Sequence, residues 1–246
     1  MPTHLPTQKL TSLALNKQTL QTRALTALVF VLVMFAGLFI NQWLFIALFA
    51  VIMFGCLYEF SKIIKLIHPG KYFFYLPIAF FYIVLPVLLM IDLGLNGQYY
   101  IHNLSEKTAS VYSALLPCAI IFSLWINDTM AYLVGSMIGK TPFSKISPKK
   151  TWEGTLGGAL LCVISMALLG HNSESGKVLS YTNWICIAGI CTFFGTLGDL
   201  LESKLKRMAN IKDSGTIMPG HGGFLDRFDS MLVATPIVWL YIYFFL

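Results

Sequence analysis

Seven apolar stretches, each close to the length of a membrane crossing, constrain this chain more than any other feature. A crossing helix needs roughly 20 apolar residues, and runs occur at about 24–40, 43–58, 72–92, 111–139, 152–170, 184–202 and 229–246. The fourth is long for one crossing, so a tilt or a break is expected near Asn127–Asp128. Several others are short, and eight or nine crossings also fit the pattern. Composition agrees: 11% of residues are charged and mean hydropathy is +0.72, whereas a soluble domain carries roughly a quarter charged residues. Too little polar surface remains to cover a water-soluble globule. The expectation is an all-α, polytopic membrane helix bundle of about seven transmembrane helices.

The stretch 1–23 is polar, holds Lys9, Lys17 and Arg23, and has no apolar signal core before the first long run. It reads as a cytoplasmic tail, followed by membrane helices over 24–110 and a second membrane region over 111–246. The five cysteines, Cys56, Cys118, Cys162, Cys186 and Cys191, lie mostly in apolar runs without C-x-x-C spacing, and read as small packing residues.

Seven crossings with the N-terminus inside place fifteen of the seventeen Lys and Arg on the inner face, leaving only Lys107 and Lys177 outside. That asymmetry is the positive-inside pattern, and it puts the net charge of +6 almost wholly on one face. These cations sit in loops between spans and not on a folded soluble domain, which argues against nucleic-acid binding. They suit anionic headgroups and nucleotide phosphates.

Ionisable residues within spans are costly, roughly 2.5–3.5 kcal/mol each on insertion scales, and so become functional candidates. Asp128, Asp199, Asp226 and Asp229 fall within or at the ends of spans on the inner side. Asp199, Ser203 and Lys206 are spaced i, i+4, i+7 on one helix face, and Asp226 and Asp229 are i, i+3. Clustered carboxylates among Lys and Arg fit a hard cation whose shell is completed by phosphate oxygens, as magnesium prefers. The competing reading is plain ion pairing: Glu202 with Lys206, Asp213 with Lys212, and Asp226 near Arg227.

Between those helices, residues 215–223 hold four glycines and Pro219, a loop able to approach a ligand closely. With Arg207, Lys212 and Arg227 nearby it suits a polyphosphate. His221, flanked by Gly220 and Gly222, is a candidate ligand contact. A second polar loop runs from Gly139 to Gly154 and contains Lys149 and Lys150. Its Gly139-Lys140-Thr141 is no Walker A end, because Val134 stands where the first glycine is needed and an apolar helix precedes it.

Ser203-Lys204-Leu205-Lys206-Arg207, then Lys212-Asp213-Ser214-Gly215, then Pro219-Gly220-His221-Gly222-Gly223-Phe224-Leu225-Asp226-Arg227-Phe228-Asp229 resembles the signature of the phosphatidate cytidylyltransferases, the CDP-diacylglycerol synthases, over 27 residues. Asn127-Asp128, Ser147-Pro148-Lys149-Lys150-Thr151-Trp152-Glu153-Gly154 and Gly198-Asp199-Leu200 support it. Met218 is a mild departure. The resemblance is strong over about 120–230 and weak before.

It implies a magnesium-dependent reaction of CTP with phosphatidic acid giving CDP-diacylglycerol and pyrophosphate, with a second cation in reach. The site would open to the cytoplasm and the inner leaflet. Asp199, Asp226 and Asp229 would hold metal and, with Lys206, form the catalytic set. Ser203, Arg207, Lys212, Asp213, His221, Gly222, Gly223, Arg227, Lys149, Lys150 and Asp128 would contact substrate. No general base is needed, since the lipid phosphate is already ionised, so His221 should matter less than Asp199. The resemblance also implies a homodimer. The short, tail-free build points to a bacterial inner membrane. A CDP-alcohol phosphotransferase is disfavoured because Asp226-Arg227-Phe228-Asp229 continues into Ser230 without the Ala-Arg that family carries. A transporter is disfavoured because the ionisable residues gather at one face instead of the midplane.

Overall fold

Backbone amides inside a bilayer have no water to bond, and this chain answers with helices almost throughout. A computed structural model describes residues 17–102, 112–144, 146–217 and 222–246; His221 lies outside them. Eight α-helices are described: α1 Lys17–Phe39, α2 Gln42–Ile67, α3 Tyr72–Ala79, α4 Leu85–His102, α5 Leu115–Ile138, α6 Trp152–Asn172, α7 Tyr181–Met208 and α8 Leu225–Phe245. Among the described residues, six segments are long and apolar enough to cross a membrane, α3 and α4 counting as one, and α1 adds a shorter apolar helix over Ala24–Phe39. The protein is an all-helical integral membrane bundle, as its apolar runs predict.

Local chemistry explains where a helix begins and where its pitch changes. Asn41 caps α2, its side chain accepting from Leu44 N–H at 2.9 Å. The segment 72–102 passes through a π-helical turn at Phe80–Val84. Pro77 lies just before it and Pro86 just after, so ring clashes and a missing N–H are absorbed by a local i→i+5 adjustment. By contrast α5 runs unbroken through Asn127–Asp128, so the expected break there does not occur. The length of that apolar run reflects its flanks, with the helix itself spanning 24 residues.

Small residues set the spacing of the second half, as is usual where lipid and helix are equally apolar. A Cβ on Gly158 of α6 would lie 2.5 Å from Ala131 N on α5, and one on Gly198 of α7 would lie 2.5 Å from the Asp229 carbonyl oxygen on α8. Away from the inner end, Asp92 of α4 accepts from Asn96 and Tyr100 at 2.7 Å and from Trp239 Nε1 of α8 at 2.6 Å. Trp239 thus ties α8 to α4, while Asn96 and Tyr100 donate from α4 itself. All five cysteines are free thiols, and four of them are buried.

Candidate active site

Four helices and two loops bring their polar residues to one end of the bundle. On α7, Asp199, Glu202, Ser203 and Lys206 share a face, and Ser203 Oγ donates to Asp199 Oδ1 at 3.3 Å. On α8, Asp226 and Asp229 face α7 across the contact that Gly198 permits. Asp199, Glu202 and Asp229 can each direct one carboxylate oxygen so that the three lie within 4.8 Å of one another. Glu202 is fully buried, and among the described residues its close cationic partner is Lys206, whose Nζ sits 2.5 Å from Oε2. A trio of carboxylates from two helices is an oxygen set that fits a hard cation.

The trio differs at one position from the set the sequence suggests: Glu202 stands in it and Asp226 does not. Asp226 is committed elsewhere. Its Oδ1 takes Lys206 Nζ at 2.6 Å, and its Oδ2 takes the N–H groups of Ser214 at 2.9 Å and Gly223 at 2.8 Å. Asp226 therefore folds the glycine-rich loop onto the start of α8. Gly222 adopts φ +90, and a Cβ there would meet Asp226 Oδ2 at 2.6 Å, so this position requires glycine on both counts.

The second polar loop is stapled above the site. Pro142 and Thr151 form an antiparallel bridge, Phe143 N–H donates to Lys150 O at 2.7 Å, and Glu153 accepts from the backbone of Lys140 and from Thr141. The resulting hairpin directs Lys150 onto Asp199, with which it forms an ion pair. Burial pushes the Lys150 ammonium below its usual pKa, against the opposing pull of Asp128 and Asp229.

Two cavities meet around Asp128. One, of about 330 Å³, is lined by Asn127, Asp128, Tyr132, Lys149, Lys150 and Asp199. The other, of about 130 Å³, reaches Asp128, Asp226, Arg227 and Asp229, and is closed on one side by Phe30 and Phe228. Those two aromatics also line an apolar groove of about 420 Å³ between α1 and α2.

Other residues suggested by the sequence lie apart from the trio. Arg207 is exposed and donates to Ile211 O at 3.2 Å, closing the end of its own helix. Lys212 and Asp213 are exposed on the loop. Gly223 is buried, but a Cβ on it would strike Glu59 Oε2 at 2.2 Å, so its lack of a side chain serves a protein contact. Glu59 itself, from α2, was not legible as a site residue. The Glu202–Lys206 ion pair is present as the competing reading has it, and Glu202 belongs to the carboxylate cluster as well.

The spacing of α7 and α8 gives a direct test. Gly198→Val should force the helices apart, lower the unfolding temperature in detergent by the equivalent of about 1–3 kcal/mol, and weaken any stabilisation by added magnesium. An unchanged melting profile with and without magnesium would contradict the packing described.

The membrane-embedded bundle gathers carboxylates, lysines and two cavities at one end, a donor set of the kind that suits a hard cation. The chain belongs to the cytidylyltransferase family, whose sequence pattern matches residues 72–245. It is 43% identical over 120 residues to phosphatidate cytidylyltransferase 4, chloroplastic, of Arabidopsis thaliana, covering 47% of this chain and 29% of that protein. It is 36% identical over 153 residues to the phosphatidate cytidylyltransferase of Bacillus subtilis, covering 62% and 55%. To that of Staphylococcus aureus strain COL it is 39% identical over 150 residues, covering 59% and 53%. The matches thus span from under a third to just over half the length of these relatives.

Proposed function

We propose that this protein transfers the cytidylyl group of CTP to phosphatidic acid, giving CDP-diacylglycerol and pyrophosphate, at the inner face of a plasma membrane. The observation that carries the reading is the meeting of Asp199, Glu202 and Asp229 with Lys150 and Lys206 in a chain of the cytidylyltransferase family. The names of its relatives supply the lipid substrate, and the Lys/Arg asymmetry supplies the orientation.

In this reading an oxygen of the lipid phosphate attacks the α-phosphorus of CTP in line. The new P–O bond forms as the bond from that phosphorus to the β-phosphate bridging oxygen breaks, and pyrophosphate leaves. The attacking oxygen is already ionised near neutral pH, so no side chain needs to remove a proton. The chain has to gather two polyanions and hold them in line, which is the larger part of phosphoryl-transfer catalysis. Lys149 and Lys150 sit on the wall of the larger cavity, where they would take phosphate oxygens from the cytoplasmic side. Lys206 is held between Glu202 and Asp226, and Arg227 opens onto the smaller cavity. Asp199, Glu202 and Asp229 would hold magnesium, which when bound neutralises charge on the phosphates. The apolar groove bounded by Phe30 and Phe228 adjoins the carboxylates and is a fitting berth for an acyl chain whose phosphate reaches the site.

Pyrophosphate release by the purified protein tests the reading. Release is expected only with CTP, phosphatidate and magnesium together, and not with phosphatidylcholine, whose phosphate is already a diester. Release independent of lipid would refute it.

A further inference from the structure

We propose that Glu59 of α2 is a positioning residue for the transfer site, holding the glycine-rich loop and the start of α8 so that Asp226 and Asp229 meet α7. This rests on the cytidylyl-transfer reading for its catalytic consequence, and on geometry alone for the positioning.

Glu59 lies before the stretch that matches the family pattern, residues 72–245, and is 1% exposed. Its described partners are donors without a formal charge. Oε1 accepts from Phe224 N–H at 3.0 Å. Oε2 accepts from Leu225 N–H at 2.9 Å and from Ser214 Oγ at 2.6 Å. A helix start leaves N–H groups without partners, and at the head of α8 Phe224 has no side chain able to cap them. The cap comes instead from another helix, as a carboxylate, the charge that a helix N-terminus favours.

The network continues into the site. Ser214 has one hydroxyl hydrogen, and its oxygen lies 2.6 Å from Glu59 Oε2 and 3.0 Å from Asp226 Oδ2. The shorter contact takes the hydrogen, leaving the Ser214 oxygen to accept from Asp226 N–H at 3.3 Å. Asp226 then holds Lys206, which in turn sits against Glu202 of the carboxylate trio.

Three glycines are fitted to this arrangement. A Cβ on Gly215 would lie 2.2 Å from Glu59 Oε1, and one on Gly223 would lie 2.2 Å from Oε2. One turn before Glu59, a Cβ on Gly55 would lie 2.5 Å from the Phe224 ring. Much of the glycine in the loop is therefore room for Glu59.

The test uses the full chain in detergent with Glu59→Gln, Ser214→Ala and the double variant. Glutamine keeps the size but puts an NH2 group where a second acceptor is required. Hydrogen exchange is read by peptide, alongside kcat and KM for CTP. Glu59→Gln should speed exchange over 212–225 about tenfold with 152–172 unchanged. It should also lower kcat about 10- to 100-fold, with little change in KM. The double variant should lose less than the sum of the two singles, because they share the Glu59–Ser214 contact. Unchanged exchange over 212–225, exchange raised equally in every helix, or wild-type kcat despite a loosened loop would each overturn the proposal. If the wild-type chain transfers nothing, the functional reading fails separately, and the exchange result still decides whether Glu59 holds the loop.

Discussion

Lys206→Met should lower both stability and activity, with its larger mark on stability. Lys206 Nζ lies 2.5 Å from Glu202 Oε2 and 2.6 Å from Asp226 Oδ1. The side chains of Glu202 and Asp226 are 0% and 9% exposed. Methionine would fill most of the lysine's volume but leave two buried carboxylates without their cation. Breaking a buried pair in this way typically costs about 3–5 kcal/mol, because the remaining charge is desolvated and unopposed. Asp226 would also lose the contact that fixes it between α7 and the loop. A fall in transfer rate of about 100- to 1000-fold is expected, as for removal of one preorganised charge from a reaction centre. Thermal unfolding in detergent and turnover at saturating CTP check the two parts. Lys206→Arg keeps the charge but not the compact tip, and should recover most of the stability and only part of the rate.

Asp229→Asn should separate the two quantities. Asp229 is 7% exposed and lies in the trio with Asp199 and Glu202. Asparagine preserves the shape and the oxygen that accepts from Ser230 N–H at 2.6 Å, while removing one acid from a crowded carboxylate cluster. Without divalent ions the variant should melt at or above the wild-type temperature, because crowded carboxylates disfavour the folded state. The wild type should gain stability as magnesium is added, by mass action on the folded form, and the variant should gain little. Its transfer activity should fall at least about 1000-fold. A variant that is destabilised yet retains both the magnesium response and activity would remove Asp229 from the metal set.

The contrast between these substitutions follows from what each residue neutralises, and only part of it could be read from the sequence. The crossings were legible because burial in lipid imposes a length and a composition on each helix. So was the face bearing Asp199, Ser203 and Lys206, since helical spacing is local. Glu202 lies on that face at i+3 from Asp199, but its proximity to Lys206 invites a reading as a mere ion-pair partner. Nothing local distinguishes it from Asp226 as a member of the trio. That choice depends on how far α8 is turned against α7, which Gly198 and the loop decide.

Contacts between distant segments were not legible at all. Glu59 meets Leu225 across 166 residues, and in the sequence it is an acid just past the end of an apolar run. The one available signal was four-residue spacing between Gly55 and Glu59, which is meaningless until Phe224 is placed beside it. The glycines of the loop were legible as an allowance for close approach. What approaches three of them, Gly215, Gly222 and Gly223, is a carboxylate of the protein. Arg207 was an equally reasonable phosphate contact by position, yet its side chain closes the end of α7.

In the proposed reading, α7 and α8 together form the cytidylyl-transfer site. Transfer of label from α-phosphate-labelled CTP into extractable lipid, by purified wild type and by Asp199→Asn, tests it most directly. Label should enter lipid only when phosphatidate and magnesium are present, and Asp199→Asn should reduce it to background while melting as a folded protein. Well-folded wild type that transfers no label to phosphatidate, or an Asp199→Asn variant as active as wild type, would contradict the account.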